Sequence, residues 1–265
     1  MSEPLLLKAL KGTELIIQRA AFVSLDNKWG FATKGATFSR LYFVTKGSGF
    51  LKSGNKHITM LPGNVYLIPP NCDFSCGCER LEKIFFHILI TTIERYDLLS
   101  SQKEILSIPF SPQISKDLKA LIDSGDYFDI VKIKSILLDT IIKLRDSYKF
   151  QEVPIKRYSK HVEEAISFIE KHISVKLKVT DISNELFLSE SKLRNSFKSE
   201  MNIPIGKYID DMIFIKAKEL LSSHESTVFS VSNELGFCDQ FYFSRRFKDK
   251  TGITPSEYKK QLTLV

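Results

Sequence analysis

The chain contains no long apolar run. None of its 265 residues falls in a stretch approaching the roughly 18 consecutive apolar residues that a membrane-spanning helix needs. Met1 to Leu15 also lack a cationic leader followed by an apolar block and a small-residue cleavage site. With 43% hydrophobic and 26% charged residues, the composition is not that of a disordered chain. We therefore expect a folded, cytoplasmic protein without membrane association, long enough for two domains.

Cysteine is scarce, and its spacing does not suit a metal site. Three of the four cysteines are Cys72, Cys76 and Cys78, and His57 and His87 lie in the same half of the chain. Cys-x3-Cys-x-Cys is not a standard zinc spacing, and free thiols are common in a reducing cytoplasm. Because soft ligands select zinc or copper(I), a metal- or thiol-sensing regulator is kept as an alternative. No metal, cofactor or catalytic residue is predicted.

Charge of one sign is not concentrated in either half. The formal net charge is +7. Residues 151–265 hold 18 Lys and Arg against 16 Asp and Glu, whereas residues 1–150 hold 20 against 15. Phosphate affinity depends on local cations rather than on such totals. Local cations occur in two short segments of the second half: Lys192, Arg194 and Lys198, and then Arg245, Arg246, Lys248 and Lys250.

The second half contains one sequence unit written twice. Residues 182–186, Ile-Ser-Asn-Glu-Leu, recur at 231–235 as Val-Ser-Asn-Glu-Leu, and Phe197-Lys198 recurs as Phe247-Lys248. The first matches are 49 positions apart and the later ones 50, which predicts a one-residue insertion in the turn between two helices. A short amphipathic segment, a break and a second segment with cationic and amide side chains is the outline of a helix-turn-helix. Two copies indicate two DNA-reading helices.

The second helix of each unit should enter the major groove with its exposed N-terminal positions near the base edges. Arg suits guanine, Asn and Gln suit adenine, and Phe241 could meet a thymine methyl. Leu193 and Phe197 should point inward, as should Phe247 and either Tyr242 or Phe243. The alternative interpretation is a merely solvated helix face. The predicted DNA-binding residues are Ser191, Lys192, Arg194, Asn195 and Lys198 in the first unit, and Gln240, Phe241, Ser244, Arg245 and Lys248 in the second.

The first half has a different periodicity. Residues 14–92 alternate in short apolar runs broken by Gly, Pro and Asn, which predicts strands of four to seven residues in an antiparallel sandwich or barrel. Residues 111–148 have a helical apolar stripe formed by Ile130, Ile133, Leu137, Ile141 and Leu144. A polar linker is predicted at 149–158, between domains at 1–150 and 151–265. Helices are predicted beyond it at 159–173, 179–187, 190–200, 205–222, 228–235, 239–250 and 255–262.

Residues 236–258 carry a specific pattern. The order Gly-Phe, Tyr-Phe-Ser-Arg, Phe-Lys, Thr-Gly and Thr-Pro-Ser-Glu-Tyr resembles the C-terminal signature of the AraC/XylS family of bacterial transcription regulators. The resemblance covers residues 159–262. It implies a seven-helix domain with two reading helices in successive major-groove segments of a promoter, usually activating transcription. Double-stranded promoter DNA and RNA polymerase are then the expected partners.

The first domain is similar to the cupin barrel that serves as effector domain in this family. The similar segments are Gly47-Ser-Gly49, Leu61-Pro-Gly63 and the Ile-Pro-Pro-Asn run at 68–71. Catalytic cupins bind a metal through His and Glu residues, but here the glutamate position is Arg40 and the second-motif histidine position is Phe74. A cation and a phenyl ring cannot replace metal ligands, which disfavours the competing hypothesis of an enzyme. The expected fold class is a two-domain α+β protein: a cupin-like β-barrel with following helices, then an all-α domain with two helix-turn-helix units.

A barrel interior without a metal suits a small organic ligand such as a sugar or a small carboxylate. Arg40 and Tyr42 are two apart on a strand and share a face. If that face is inward, Trp29, Tyr66 and His87 are candidate companions in an effector site. The alternative is that these residues are only core, in a constitutive regulator whose barrel dimerises. In family members of this architecture, the helices after the barrel pair two subunits, so a homodimer is expected.

Overall fold

The structure, a computed structural model, describes residues 5–33, 35–92, 97–153, 155, 158–223 and 225–263. Its contacts divide the chain into two compact units, one within residues 6–154 and the other within residues 155–264. Residues 154, 156 and 157 of the predicted linker lie outside the described residues, so the linker stays a prediction.

The first unit is built on an antiparallel sheet. Its strands follow the order β1-β6-β3-β5-β7, with β2 added to β6 and β4 added to β3. A short helix, α1 (Leu5–Gly12), precedes the sheet. The strands are β1 (Glu14–Asp26), β2 (Gly30–Thr33), β3 (Ser39–Ser53), β4 (Lys56–Met60), β5 (Asn64–Ile68), β6 (Phe74–Thr91) and β7 (Leu106–Pro109).

Three strands are much longer than expected. The prediction of four to seven residues is wrong for β1, which has 13, for β3, which has 15, and for β6, which has 18. Strands β3 and β6 bend at bulges and continue, with register shifts between Val44 and Lys46 and between Ser48 and Gly49. At Gly47 φ is 73°, and a Cβ atom there would collide with the Arg80 carbonyl oxygen. A glycine that suggested a turn therefore allows one strand to bend and pair on both sides of the bend.

The bent sheet has two apolar faces. Its inner face holds a cluster that includes Tyr42, Tyr66 and Phe85. The outer face packs against α2 (Pro112–Ile122) and α3 (Tyr127–Tyr148). Four positions of the predicted α3 stripe are buried, but Ile130 is 46% exposed because it lies in the first turn of the helix, ahead of the buried part. The buried stripe residues are Ile133, Leu137, Ile141 and Leu144.

The second unit is helical. The described residues contain two pairs of helices, each a short helix followed by a reading helix. The pairs are α5 with α6 and α8 with α9, and α7 separates them as predicted. The connection between α5 and α6 spans residues 186–189, and that between α8 and α9 spans residues 235–239. The predicted one-residue insertion in the turn is therefore confirmed, as is the two-domain α+β fold class. The helices are α4 (Lys160–Lys171), α5 (Val179–Glu185), α6 (Glu190–Met201), α7 (Ile205–Ser222), α8 (Val228–Glu234), α9 (Gln240–Thr251) and α10 (Pro255–Thr263).

Apolar side chains fix each reading helix in this unit. In α6, Leu193 and Phe197 are fully buried, and the Phe197 ring lies 5.2 Å from that of Tyr208. In α9, Phe243 and Phe247 are fully buried. Their rings join a larger cluster in which ring centroids lie 5.1–6.4 Å apart, within the range of favourable aromatic pairs. The other members of this cluster are Phe214, Phe237 and Tyr258.

Candidate nucleic-acid interface and ligand site

Helix α6 presents a polar face opposite its buried side. Ser189 begins the helix as N-cap, and its hydroxyl accepts a hydrogen bond of 3.3 Å from the Lys192 N–H. Because Leu193 and Phe197 turn into the core, the residues between and beside them face outward. All five residues predicted to bind DNA here are exposed: Ser191, Lys192, Arg194, Asn195 and Lys198.

Helix α9 repeats this arrangement with different side chains. The Asp239 carboxylate caps it, accepting 2.7 Å hydrogen bonds from the N–H groups of Phe241 and Tyr242. The Tyr242 hydrogen bond is the main cause of a lowered Asp239 pKa. The inward side chain is Phe243, and Tyr242 is 38% exposed, which settles the alternative left open by the sequence. Phe241 is 73% exposed at the start of this face.

Two of the predicted reading residues have local partners. The Arg194 guanidinium donates a 2.9 Å hydrogen bond to the Glu190 carboxylate one turn earlier. The Ser244 hydroxyl donates a 2.7 Å bond to the Gln240 carbonyl oxygen, and both residues are half-buried. Arg245 and Lys248 are exposed on the same face. An anionic backbone would therefore meet these two cations directly, whereas Arg194 would exchange one anionic partner for another.

Two further cations of α9 serve the fold. Arg246 donates to the Asp210 carboxylate of α7 and to the Tyr242 hydroxyl. Lys250 pairs with Asp210 at 2.8 Å and with Asp211 at 2.6 Å. Both cations fasten α9 to α7 through these carboxylates, and a phosphate-binding role for Arg246 and Lys250 stays a prediction. A sequence separation of about 40 residues conceals these pairings.

The inner face of the β-sheet brings together the residues predicted from the strand pattern. Arg40 and Tyr42 are both fully buried. Tyr42 belongs to the inner cluster, and the Arg40 guanidinium lies over Phe74 of the same cluster. In register, Arg40 lies opposite His87 and Tyr42 opposite Phe85. The Arg40 guanidinium carbon lies 4.7 Å from the Phe38 ring centroid and 5.2 Å from that of Phe74. A role for these residues in ligand binding stays a prediction.

Lys83 is a buried cation that the sequence interpretation missed. Its Nζ lies 3.5 Å from the Tyr42 ring centroid and 4.2 Å from that of Trp29. The side chain is fully buried, and within the described residues Nζ has no hydrogen-bond partner. Burial is the main reason that the pKa of Lys83 falls to about 7, and the nearby Arg40 adds to the effect. The alternation Lys83, Phe85, His87 places all three on the inner face.

Polar groups of Tyr42 and His87 share this interior. The Tyr42 hydroxyl and both ring nitrogens of His87 are buried without hydrogen-bond partners among the described residues. Burial, reinforced by Arg40, Lys83 and Arg19, lowers the pKa of His87, so the imidazole is neutral near pH 7. Burial also raises the pKa of Tyr42 and keeps the phenol protonated.

Tyr66 is the candidate that contributes least to this group. Its side chain is in the inner cluster. Its hydroxyl donates to the Thr59 carbonyl oxygen at 3.1 Å and accepts from the Leu61 N–H at 2.9 Å. Both bonds hold the β4–β5 connection, so the hydroxyl is already engaged.

The cysteine cluster lies beside the same interior. Burial raises the pKa of Cys76 to about 11 and also raises that of Cys78, so both are thiols rather than thiolates at neutral pH. Cys72, Cys76 and Cys78 are free cysteines. No set of three or more His, Cys, Asp or Glu side chains in the described segments is arranged to hold a metal ion.

The exposed helices and their duplicated scaffold define the class of protein: a DNA-binding protein with two helix-turn-helix units. Residues 182–261 match the family described as a helix-turn-helix domain. The Msm operon regulatory protein of Streptococcus mutans is 30% identical over 235 residues, which cover 84% of each chain. The arabinose operon regulatory protein of Escherichia coli is 25% identical over 234 residues, which cover 83% of this chain and 79% of that protein.

A solved structure matches the fold of the whole chain. The crystal structure of ToxT from Vibrio cholerae has a TM-score of 0.50 and 16% identity, and the match covers 96% of this chain and 100% of that one. Together with the sequence signature at 236–258, these findings show that the chain belongs to the AraC/XylS family of transcription regulators. Its relatives are regulators rather than enzymes. In the described part of the chain, no helix is both long and apolar enough to cross a membrane.

Proposed function

We propose that this protein is a cytoplasmic transcription activator whose two reading helices bind a promoter and whose β-domain binds a small organic ligand, such as a sugar, that controls this binding. The duplicated helix-turn-helix carries the proposal, because both copies turn a polar face outward while apolar residues hold the opposite face. Regulation requires that the ligand bind two arrangements of the protein with different affinity. Activation would involve RNA polymerase as partner.

The face of α6 favours sequence-specific binding over mere phosphate binding. It offers Arg194 for guanine and Asn195 for adenine, flanked by Lys192 and Lys198 for phosphates. In α9, Arg245 and Gln240 supply the same two kinds of donor, with Phe241 available for a thymine methyl. Each unit therefore combines base-reading and backbone-binding side chains.

The interior of the β-domain supports a ligand-binding role. Trp29, Arg40, Tyr42 and His87 converge on one enclosed face, and Tyr66 closes it at the β4–β5 side. Aromatic rings beside hydrogen-bonding groups suit a sugar or a similarly small polar molecule. One relative is the regulatory protein of an arabinose operon. The competing role, a β-domain that only dimerises, would not account for the buried Tyr42 hydroxyl and His87 ring nitrogens, which have no hydrogen-bond partners among the described residues.

An exposed apolar stripe on α3 supports a homodimer. Val131, Leu138 and Ile142 are 61%, 44% and 51% exposed and follow helical spacing along the side away from the sheet. A second copy of the chain would bury this stripe. Multi-angle light scattering should give the mass of a dimer for the wild type and that of a monomer for Leu138→Lys.

The test of DNA binding starts from fragmented DNA of the source organism, from which the purified protein selects at near-physiological salt. Sequencing of the retained DNA should reveal a few promoter fragments with two half-motifs about one helical turn apart. Arg245→Ala should weaken retention of these fragments, whereas Lys171→Ala, at an exposed position of α4, should not.

Retention without sequence preference would contradict the proposal, because only phosphate contacts would then be formed. In vitro transcription from a selected promoter tests activation separately. A retained promoter whose transcription falls when the protein is added would identify a repressor instead.

A further inference from the structure

The Lys83 ammonium is enclosed by apolar and aromatic groups. Tyr42, Trp29 and Phe85 surround it, with ring centroids 3.5, 4.2 and 6.0 Å from Nζ. Ring faces attract a cation, but they do not accept its hydrogen bonds as water or a carboxylate would. A buried ammonium whose three N–H groups have no acceptor is unfavourable. Methionine would fill a similar volume without that cost. Packing therefore does not explain why this buried position carries a charged side chain rather than an apolar one of similar volume.

No buried carboxylate compensates this charge within the described part of the chain. Arg40 and Lys83 are both fully buried, and the half-buried Arg19 lies 5.8 Å from the Phe85 ring centroid. Burial is the main cause of the lowered pKa of His87, and the charges of Arg40, Lys83 and Arg19 lower it further. The buried polar and charged residues there and elsewhere in the described segments are Ser39, Arg40, Lys83, His87, Thr91, Thr140, Ser183 and Ser232, none of them acidic.

The strand register places the two buried cations on one face of neighbouring strands. Lys83 is opposite Val44, and Arg40 is opposite His87, with the Tyr42–Phe85 pair between these two pairs. The Lys83 ammonium approaches the rings of this central pair, whereas the Arg40 guanidinium lies over Phe38 and Phe74. The Arg40 charge nonetheless helps to lower the pKa of Lys83. Like the Lys83 ammonium, the Tyr42 hydroxyl is buried without a hydrogen-bond partner among the described residues.

We propose that the interior of the β-domain binds a small organic anion, with its carboxylate or phosphate group held by Lys83 and Arg40 and its body against Tyr42 and Trp29. The proposal rests on the ligand-responsive function above and narrows the ligand from any small polar molecule to one with an oxyanion. Charge-assisted hydrogen bonds to such a group are strong in a buried site. Because burial lowers the pKa of Lys83, an anion would also restore the charged form of this residue.

The test uses a protein-free small-molecule extract of the source organism, separated by anion exchange into a neutral and an anionic fraction. Each fraction is titrated into the full-length protein while the fluorescence of Trp29, the sole tryptophan, and the affinity for a selected promoter fragment are measured. The anionic fraction should change both, and the neutral fraction should change neither. Phosphatase treatment then separates the two sources, since it abolishes the effect of a phosphate ester and spares that of a carboxylate.

Three variants decide whether Lys83 is responsible. Lys83→Met should require on the order of 30-fold more of the anionic fraction for the same change in promoter affinity. Lys83→Gln, which keeps a donor without the charge, should behave similarly if the charge is what matters. Lys52→Met makes the same change at an exposed position of β3 and should respond as the wild type does. Lys83→Met should melt no lower than the wild type, because it removes a buried charge.

Two results would overturn the inference in distinguishable ways. If the neutral fraction acts and both Lys83 variants respond normally, the ligand is not an anion, but ligand-responsive regulation stands. If neither fraction changes the wild type, the ligand-responsive function itself fails, and the inference fails with it. A Lys83→Met protein that melts far below the wild type, together with a normal response of Lys83→Gln, would identify Lys83 as a packing residue.

Discussion

The two helix-turn-helix units share their lengths and differ in how they are held together. Helices α5 and α8 have seven residues each, and α6 and α9 have twelve each. The Phe197 ring of α6 contacts that of Tyr208, whereas the Phe247 ring of α9 contacts those of Phe214, Phe243 and Tyr258. Helices of the same length are therefore stabilised by more aromatic ring contacts around α9 than around α6.

The difference extends to the polar anchors of the reading helices. Glu200 of α6 and Lys250 of α9 occupy equivalent positions. The Glu200 carboxylate accepts a 2.6 Å hydrogen bond from the Ser159 N–H just before α4, whereas Lys250 pairs with Asp210 and Asp211 of α7. Each reading helix is thus anchored to the helix that precedes its own unit. The anchoring side chain is anionic in α6 and cationic in α9. In the second copy Arg246 and Lys250 pair with a carboxylate of α7, whereas Lys192 and Lys198 of the first copy are exposed.

The largest effects should come from removing the central ring of each unit. Phe247→Ala should destabilise the protein by about 4 kcal/mol, because it leaves a cavity and removes the ring contacts with Phe214, Phe243 and Tyr258. Phe197→Ala should cost about 3 kcal/mol for the smaller set of contacts. Urea unfolding measures both, and hydrogen exchange should show loosening confined to the altered unit. Equal losses with exchange spread over both units would contradict the independence of the two cores.

The next effect concerns DNA affinity. Arg245→Ala and Arg194→Ala should each weaken binding to a selected promoter by about 1–3 kcal/mol, and each should relax base preference in its own half-motif. Lys248→Ala should weaken binding to all sequences alike and reduce its salt dependence. Electrophoretic mobility shifts over a range of salt concentrations measure these changes. Uniform losses from all three variants would mean that the two arginines contact only phosphates.

Glu190 allows a sharper test of the first copy. Its carboxylate holds Arg194 at 2.9 Å, so Glu190→Gln should free the guanidinium and strengthen promoter binding by a few tenths of a kcal/mol or more. In the second copy the equivalent position is Gln240, which carries no charge to remove. A Glu190→Gln protein with weaker promoter binding would show that the pair positions Arg194 rather than competing for it.

The turns of the two units should respond in opposite directions to substitution. Phe187 and Gly236 occupy equivalent positions and both have positive φ, 51° and 80°. A Cβ atom at Gly236 would lie 2.6 Å from the Ser174 hydroxyl oxygen, so Gly236→Ala should destabilise the protein by roughly 1–2 kcal/mol. Phe187→Gly should stabilise it by up to about 1 kcal/mol, because the exposed phenyl ring leaves no cavity. Thermal unfolding measures both, and a loss for Phe187→Gly would indicate that its ring has a packing role.

The duplicated unit could be predicted from the sequence because its information is local. The inward Leu193 and Phe197 follow from spacing within one helix, and the Ile-Ser-Asn-Glu-Leu repeat and the turn insertion follow from comparing two short segments of the sequence. The pairings of Arg246 and Lys250 with α7 could not be predicted, because they depend on how helices pack. The sequence around Arg246 and Lys250 does not indicate that a carboxylate partner, Asp210, lies 36 and 40 residues earlier.

The interior of the β-domain was predicted only in part, for a related reason. Arg40 and Tyr42 stood out as polar residues alternating on one strand. Lys83 lies in β6, where residues of both faces are buried, so alternation between polar and apolar residues does not mark the inner face. The length of β3 was underestimated because Gly47 and Gly49, which suggest a turn, lie beside bulges at which the strand bends and continues.

The smallest effect should come from the ion pairs that fasten α9. Asp210→Asn removes the partner of Arg246 and one partner of Lys250, but the carboxylate is 30% exposed and solvent screens these pairs. The cost should be below about 1 kcal/mol and should shrink further at high ionic strength. Urea unfolding at low and high salt measures it, with Glu200→Gln as the matched change in the first unit. Because Asp210→Asn removes the carboxylate partner of Arg246 and leaves Lys250 with Asp211 alone, the positive charge beside the reading face increases, and promoter affinity should rise slightly while stability falls. A fall in both would show that the pairs orient α9 for DNA, and the second copy would then depend on its ionic anchor as well as on its aromatic core.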